Sequence, residues 1–452
     1  MPLDYRISER TLANGLRVVV NEDHNVPTVT VNLWVNVGSR HEATGHTGFA
    51  HLFEHLMFQG SANVASGEHF ALLMDQGGRL NATTWFDRTN YFETVPTGAL
   101  DLALWLEADR HGRLLAALSQ ENLDNQRDVV KEEKRQRYDN QPYGHAIADM
   151  YATVFPVGHP YHHSTIGSME DLDEASLEDV RSFFSEHYGP NNTVITLAGD
   201  VTPEEGFAAV ERYFGGLPAS AAARREPVEP LPPLDEPVRL ERREDVPSDR
   251  LYLCFRLPVD GTDEFFAASM ALDVLGGLAT SRLYKRLVRR EHLANSLHAA
   301  AWGLVDGVSL GFISVDVADG VNPNRAEAAL TEELDRFALE GPTAGELEAV
   351  MAQNERGWLQ HLASLDERAD AICGNTLLHD DPQFINTILD RLGAITGEQV
   401  KQAAATYLRP RNRAVVAYLR AEPPAGEEPV EPVTDLPSGL SQQAAVVDKE
   451  DR

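Results

Sequence analysis

Near the start of the chain Val29, Val31, Leu33, Val35 and Val37 alternate with Thr, Asn and Trp, the period-two signature of a half-buried strand. Past residue 250 the pattern returns, with Leu251, Leu253, Phe255 and Leu257 alternating and Ile313, Val315 and Val317 supplying another strand. The stretch LEDVRSFFSEHYGPNNTVITLAGD, from Leu177, aligns without a gap on GEQVKQAAATYLRPRNRAVVAYLR, from Gly397, at a constant offset of 220 residues. Glu178/Glu398, Val180/Val400, Pro190/Pro410 and Asn192/Asn412 coincide. Each copy predicts an amphipathic helix, a Pro-marked turn and a β-branched strand. Such units resemble one another in any α/β protein, so these identities alone leave duplication open; the matching strands that open each half favour it. The pattern predicts an α+β fold of two homologous domains, each a mostly antiparallel sheet with one face covered by helices.

Proline density divides the chain. Seven prolines between Leu217 and Pro247 cannot sustain a helix or a central strand, so 217–247 reads as a Pro-rich linker between a first domain, 1–216, and a second, 248–420. From Arg420 onward eight acidic and three basic residues, with four prolines between Pro423 and Pro432 and almost no aromatic content, predict a solvated acidic tail over 421–452.

Composition, 42% hydrophobic and 24% charged, is that of a globular body that buries its own core. A formal charge of −31 without any sustained Lys/Arg run argues against nucleic acid or an anionic membrane surface as a partner. The two cysteines, Cys254 and Cys373, sit in neither a CxxC nor a His-rich setting and read as free thiols of a reducing compartment. The N-terminal MPLDYRISERTLANG has no apolar signal core and no window reaches membrane-spanning length, so a cytoplasmic protein is expected.

Candidate chemistry is concentrated in HTGFAHLFEHLMFQG. His51, Glu54 and His55 form H-x-x-E-H, and on a helix His55 falls about 40° from His51 while Glu54 falls about 60° to the other side. Two imidazoles one turn apart can grip a single zinc, and the intervening carboxylate is placed to handle a proton. Leu52, Phe53, Leu56, Met57 and Phe58 make the helix apolar nearly all round; three ionisable groups facing one way in a buried helix need such a reason. A catalytic zinc takes a third protein ligand. In NQRDVVKEEKRQRYDN both Glu132 and Glu133 offer a carboxylate, and Glu133 shares the apolar face of Val129 and Val130, whereas Glu132 lies opposite Leu123 and Val130. Glu133 is therefore the expected partner.

The run GSRHEATGHTGFAHLFEHLMFQGS, followed by GGRLNATTWFDRTNYFETVP and NQRDVVKEEKRQ, resembles the insulinase/pitrilysin superfamily of inverted zincins, most closely its half-length members related to the mitochondrial processing peptidase. The likeness extends from TLANGLRVVV through HPYHHSTIG to the duplicated helix-turn-strand stretch. It implies one zinc ion held by His51, His55 and Glu133, with Glu54 as catalytic base in an endopeptidase. It also places Asn81, Ala82 and Thr83 on an edge strand where an extended peptide pairs by its main chain. The family's second glutamate, seven residues before the third ligand, is Gln126 here, which weakens the expected outer-shell support.

The second half lacks H-x-x-E-H, and the family's substrate-holding Arg and Tyr fall in this chain on Val288 and Asn295, neither of which can replace them. The resemblance thus implies a heterodimer with a homologous subunit that lacks the zinc motif; if Arg289 or Arg290 takes over, a homodimer suffices. A non-catalytic, zinc-retaining structural or peptide-binding subunit is the other reading. For an active enzyme the acidic body adds electrostatic steering of basic peptides. His159, His162 and His163 of HPYHHSTIG suggest local turn contacts more than a second metal, and Trp85 and Tyr91 suggest core more than substrate contact.

Overall fold

The alternating runs form the central strands of two sheets in the computed structural model, which describes residues 3–220 and 228–421. The first sheet contains β1 (Ile7–Thr11), β2 (Arg17–Glu22), β3 (Thr28–Val35), β4 (Arg79–Thr84), β5 (Thr89–Pro96) and β6 (Thr193–Gly199), in the spatial order β1-β2-β6-β3-β5-β4. The second contains β7 (Val238–Glu244), β8 (Arg250–Leu257), β9 (Ala294–Trp302), β10 (Ser309–Val317) and β11 (Ala414–Arg420), ordered β7-β11-β8-β10-β9. With β1 set aside, the two orders are the same. In each sheet one pair is parallel, β2 with β6 and β7 with β11, and the other pairs are antiparallel. The offset of 220 also holds at the level of elements: the helices Leu177–His187 and Gly397–Tyr407, and the Pro-led turns Pro190–Asn192 and Pro410–Asn412, superpose residue for residue along the chain. Both helices begin with a reciprocal capping box, Ser176 with Asp179 and Thr396 with Gln399, which fixes their starts. The α+β architecture read from the sequence is the observed one.

Two expectations are corrected. Residues 238–244, assigned to the linker, form β7, an edge strand with alternate exposed and half-buried positions. The prolines flank this strand at 237 and 247, and an edge position tolerates its charge. The rest of the linker includes residues 221–227, which lie outside the described residues, as does the acidic tail beyond residue 421.

The second correction concerns sheet faces. One face of the first sheet, with Val18, Val20, Val29, Val31, Leu33, Ile195 and Leu197, packs on Leu100–Arg113 and Pro203–Phe214 as expected. Its other face, bearing Thr30, Asn32 and Trp34, is buried too, under the Leu365–His379 helix of the second half. Asp370 on that helix accepts hydrogen bonds from Trp34 Nε1 (2.8 Å), Asn90 Nδ2 (2.7 Å) and Asn32 Nδ2 (3.3 Å). The first half returns the arrangement: its Ala146–Val154 helix packs on β8 and β11, with Tyr151 and Met150 against Tyr252, Phe312 and Tyr418. There Asp149 accepts from Tyr418 Oη (2.6 Å) and pairs with Arg242. Each half thus covers the other's sheet around a carboxylate, and the chain up to Arg420 packs as one unit.

Cys254 and Cys373 are free and buried in different clusters, Cys254 between the halves and Cys373 on the inner face of the crossing Leu365–His379 helix, its Sγ against Asn32 and Thr196 of the first sheet. Among the described residues no helix is long and apolar enough to cross a membrane.

Candidate metal centre

The H-x-x-E-H run lies on the Phe49–Leu56 helix, whose Phe49, Leu52, Phe53 and Leu56 enter the core shared with Val35, Tyr91, Leu123 and Val130. The helix starts at Gly48, which has φ +91° and no side-chain cap of its own. Glu42 supplies one from the preceding loop: its Oε2 accepts the Gly48 N–H (2.9 Å) and its Oε1 the Ala50 N–H (2.8 Å). Burial pushes the Glu42 carboxyl up to about 8 against the pull of these two donors. A Cβ on Gly167 would lie 2.2 Å from the Gly48 nitrogen, so the end of HPYHHSTIG is pressed on the helix start. Lys134 Nζ donates to the Gly167 carbonyl (3.2 Å), tying the same loop to the helix that carries Glu133.

That helix, Gln120–Lys134, begins at a Ser119–Asn122 capping box and buries Leu123, Gln126 and Val130. It brings Glu133 to the histidines: Glu133 Oε2 lies 3.3 Å from His55 Nε2 and 3.7 Å from His51 Nε2. The two imidazole centroids are 4.8 Å apart. The two Glu133–imidazole separations are close to the roughly 3.4 Å kept by ligand atoms about 2.1 Å from a tetrahedral ion. Burial lowers His51 to about 4, which leaves its imidazole neutral, and the His55 contact, with His51 and Arg137, holds Glu133 below the usual carboxylate range. Two imidazoles and one carboxylate are the donor set that zinc takes in open catalytic sites. Glu132 is exposed and bonded to Gln136 and Arg135. Among the described residues His51 Nδ1 is buried without a hydrogen-bond partner, so none of their side chains fixes that ring from behind.

Glu54, next to His55 on the same helix, bonds toward β4. Burial raises its carboxyl, and the Thr84 hydroxyl, donating to Oε2 at 2.5 Å, draws it back. Strand alternation places Thr84 on the same face as Ala82; that spacing was the available signal for Thr84, which the sequence reading missed. Strand β4 pairs only with β5, leaving its outer edge open. The Ala82 N–H is bonded to the Asn81 Oδ1 (2.9 Å) instead of the ladder, so it points to that open edge. Thr83 turns to the opposite face from Glu54, where its hydroxyl donates to Asn90 (2.6 Å) and its carbonyl accepts from Arg88 (2.8 Å).

The remaining candidates fall elsewhere. The ring nitrogens of His162 and His163 reach the Phe155 and Ser164 carbonyls, and His159 stacks on Phe155 at 5.2 Å. Tyr91 is core, sharing a 2.8 Å hydrogen bond with Tyr188 Oη, while Trp85 packs edge-on against Trp302. Val288 packs against the second core, and Asn295 is exposed on β9. Another buried set went unread: His69, Glu93 and Glu107 lie close enough to hold an ion. There the Arg110 guanidinium already pairs with Glu107 (Nε to Oε2, 2.8 Å) and lies over the Phe58 and Tyr91 rings, so its charge takes a cation's place.

Comparison with known proteins agrees with the fold. Residues 17–164 match the family profile described as insulinase (peptidase family M16), and residues 174–354 match that of the peptidase M16 inactive domain. The zinc protease PqqE of Helicobacter pylori is 29% identical over 420 residues, covering 88% of this chain and 92% of its own. A probable mitochondrial-processing peptidase subunit beta of Arabidopsis thaliana is 24% identical over 440 residues, 94% of this chain and 78% of its own. The crystal structure of a protease from Helicobacter pylori superposes with a TM-score of 0.85 at 26% identity, covering 92% of this chain and 99% of that one. The fold and the family of the matched relatives are those of a metallopeptidase. The chain belongs to the insulinase family, peptidase family M16.

Proposed function

We propose that this protein is a zinc-dependent endopeptidase that hydrolyses extended or unfolded peptides. His51, His55 and Glu133 hold one zinc ion, which supplies Lewis acidity for the scissile carbonyl and for the attacking water. Glu54 takes the proton from that water and returns it to the leaving amine; a carboxyl raised by burial is better matched to this exchange near neutrality than an exposed one. Thr84 holds the carboxylate toward the open edge of β4. Along that edge Asn81, Ala82 and Thr83 present the backbone to a substrate strand, the Asn81 side chain giving up the Ala82 N–H when a peptide carbonyl arrives. The observation that carries this reading is the convergence of His51, His55 and Glu133 beside a half-buried Glu54 and the open edge of β4.

The full enzyme is a heterodimer whose homologous partner lacks H-x-x-E-H and supplies the groups that Val288 and Asn295 cannot. Supporting this, Val288 is turned into the core, and among the described residues no metal-holding group lies in the second half. Replacing Glu54 by Gln should leave zinc bound and abolish cleavage of an unfolded peptide. Undiminished cleavage removes Glu54 from the mechanism. A zinc-loaded parent protein that cleaves nothing, with its partner present, returns the chain to the alternative of a non-catalytic peptide-binding subunit.

A further inference from the structure

Strand β4 has a single neighbour in its sheet, β5, so its place depends on what holds its two faces. On the metal side Ala82 enters the core and Thr84 bonds Glu54. On the opposite face Thr83 is tied to the second half of the chain. Its hydroxyl donates to Asn90 Oδ1 (2.6 Å), and Asn90 Nδ2 donates in turn to Asp370 Oδ1 on the crossing Leu365–His379 helix (2.7 Å). Arg88 closes the circuit. Its Nη1 donates to the Thr83 hydroxyl and to the Thr83 carbonyl (2.8 Å), and its guanidinium lies 4.9 Å over the ring of Trp34, whose Nε1 donates to the same Asp370 oxygen.

Charge follows the same path. Burial pulls the Arg88 guanidinium below its ordinary range, and Asp370 opposes this more strongly than Glu54 or Asp87 does. Asp370 therefore supplies both an acceptor and the main counter-charge for the hairpin that ends β4. A cavity of about 220 Å³, lined by Thr83, Arg88, Asn90 and Asp370 among others, adjoins this network, so the hairpin has room to shift once the tie is cut. A peptide that pairs through its main chain needs the donors and acceptors of the strand held in line.

We propose that Asp370 is a positioning residue: through Asn90, Thr83 and Arg88 the second half holds in register the strand on which the first half pairs its substrate. The proposal rests on the peptidase reading for the peptide that β4 receives. It gives the Leu365–His379 helix a part in binding beyond the packing of the two halves. Asp149, on the helix that crosses the other way, has no such part, because it bonds Tyr418 on β11 and Arg242 on β7, in the other sheet.

The test uses the full-length, zinc-loaded protein carrying Glu54→Gln and a labelled unfolded peptide, with binding read by fluorescence anisotropy and zinc by mass spectrometry. Asp370→Ala is expected to retain zinc and to weaken binding by at least about tenfold, the equivalent of one or two main-chain hydrogen bonds to the peptide. Asp149→Ala also loosens a crossing helix, and its affinity should stay within about twofold of the parent. All three donors reach the same oxygen of Asp370, so Asp370→Asn can keep them and should recover the affinity to within about threefold. Thr83→Val cuts the path at a half-buried site; it should bring the same loss as Asp370→Ala, and it decides the matter if that variant does not fold. The double variant should lose no more than either single one, because both break one path. Equal losses at Asp370 and Asp149, losses at Asp370 and Thr83 that multiply, an Asp370→Asn protein as weak as Asp370→Ala, or binding by no form overturns the proposal. Cleavage of the same peptide is measured with Glu54 intact. Binding that depends on Asp370 in a protein that cleaves nothing leaves the proposal standing and removes the peptidase reading; cleavage by a protein whose affinity ignores Asp370 does the opposite.

Discussion

The two halves share one order of five strands, and they differ in what stands beside the edge strand. At β4 the neighbouring helix offers Glu54 to Thr84, and Glu133 closes on the two histidines. At β9, the counterpart edge, the neighbouring Asp263–Leu272 helix is apolar almost throughout, and Asn295 faces solvent. The carboxylate there, Asp273, is pushed up to about 6 by burial and is hydrogen-bonded to Asn354, with no histidine to complete a site. One frame therefore carries a candidate metal centre in one copy and, among the described residues, only packing in the other. The chemistry resides in a few side chains placed on the frame, and the frame itself is indifferent to them.

The sharpest way to break that comparison is to take the centre from the first half. Glu133→Gln should lose zinc and lower cleavage by at least about 100-fold, because the third ligand is removed outright. Glu132→Gln, one residue away but exposed, should retain both. Zinc content by mass spectrometry, alongside the cleavage assay, decides it; a Glu132 variant that loses zinc as fully as the Glu133 variant would refute the assignment.

A second contrast lies in the helices that the halves exchange. Asp370→Ala strands three buried donors, on Asn32, Trp34 and Asn90, and at about 1 kcal/mol for each lost hydrogen bond should cost about 3 kcal/mol. Asp149→Ala frees Tyr418 and Arg242, but the Arg242 side chain is 40% exposed and water can take over its share, so the cost should be nearer about 1–2 kcal/mol. Denaturant melts of the two variants test the order. A larger loss at Asp149 would mean that the crossing from the first half is the stronger tie.

These contrasts mark what the sequence can and cannot disclose. The placing of His51, Glu54 and His55 on one side of a helix is local, so periodicity alone was enough, and Glu133 followed from sharing a face with Val130, which is buried, although Val129, read as part of that apolar face, is exposed. The duplicated stretch was legible because its offset never slips. Thr30, Asn32 and Trp34, by contrast, looked like the solvent side of a half-covered sheet. Their cover comes from Asp370, some 340 residues away, and no local pattern records that pairing. Strand β7 was hidden for another reason: at a sheet edge VRLERRE needs little apolar surface, and the prolines around it read as linker. The buried Glu93, Glu107 and Arg110 were passed over because each alone looks like an exposed helix or strand charge.

The smallest effect expected narrows the comparison to a single hydroxyl. Thr84→Val removes the donor that draws the Glu54 carboxyl down, so burial is opposed by less and its pKa moves further up. Cleavage requires ionised Glu54, so the acid limb of the rate profile should shift to higher pH. On the plateau, where Glu54 is ionised in both proteins, the loss of one hydrogen bond should slow the reaction by about tenfold or less. Stability supplies an independent sign. A carboxyl raised on folding binds its proton more tightly in the folded state, so its contribution declines as pH rises through the ordinary carboxylate range toward the raised value. Below that range both states are protonated and the parent and variant should differ by a fixed amount; above it the deficit of the variant should grow. A profile that keeps its acid limb in place, with a deficit independent of pH, would show that Thr84 merely fills space beside Glu54.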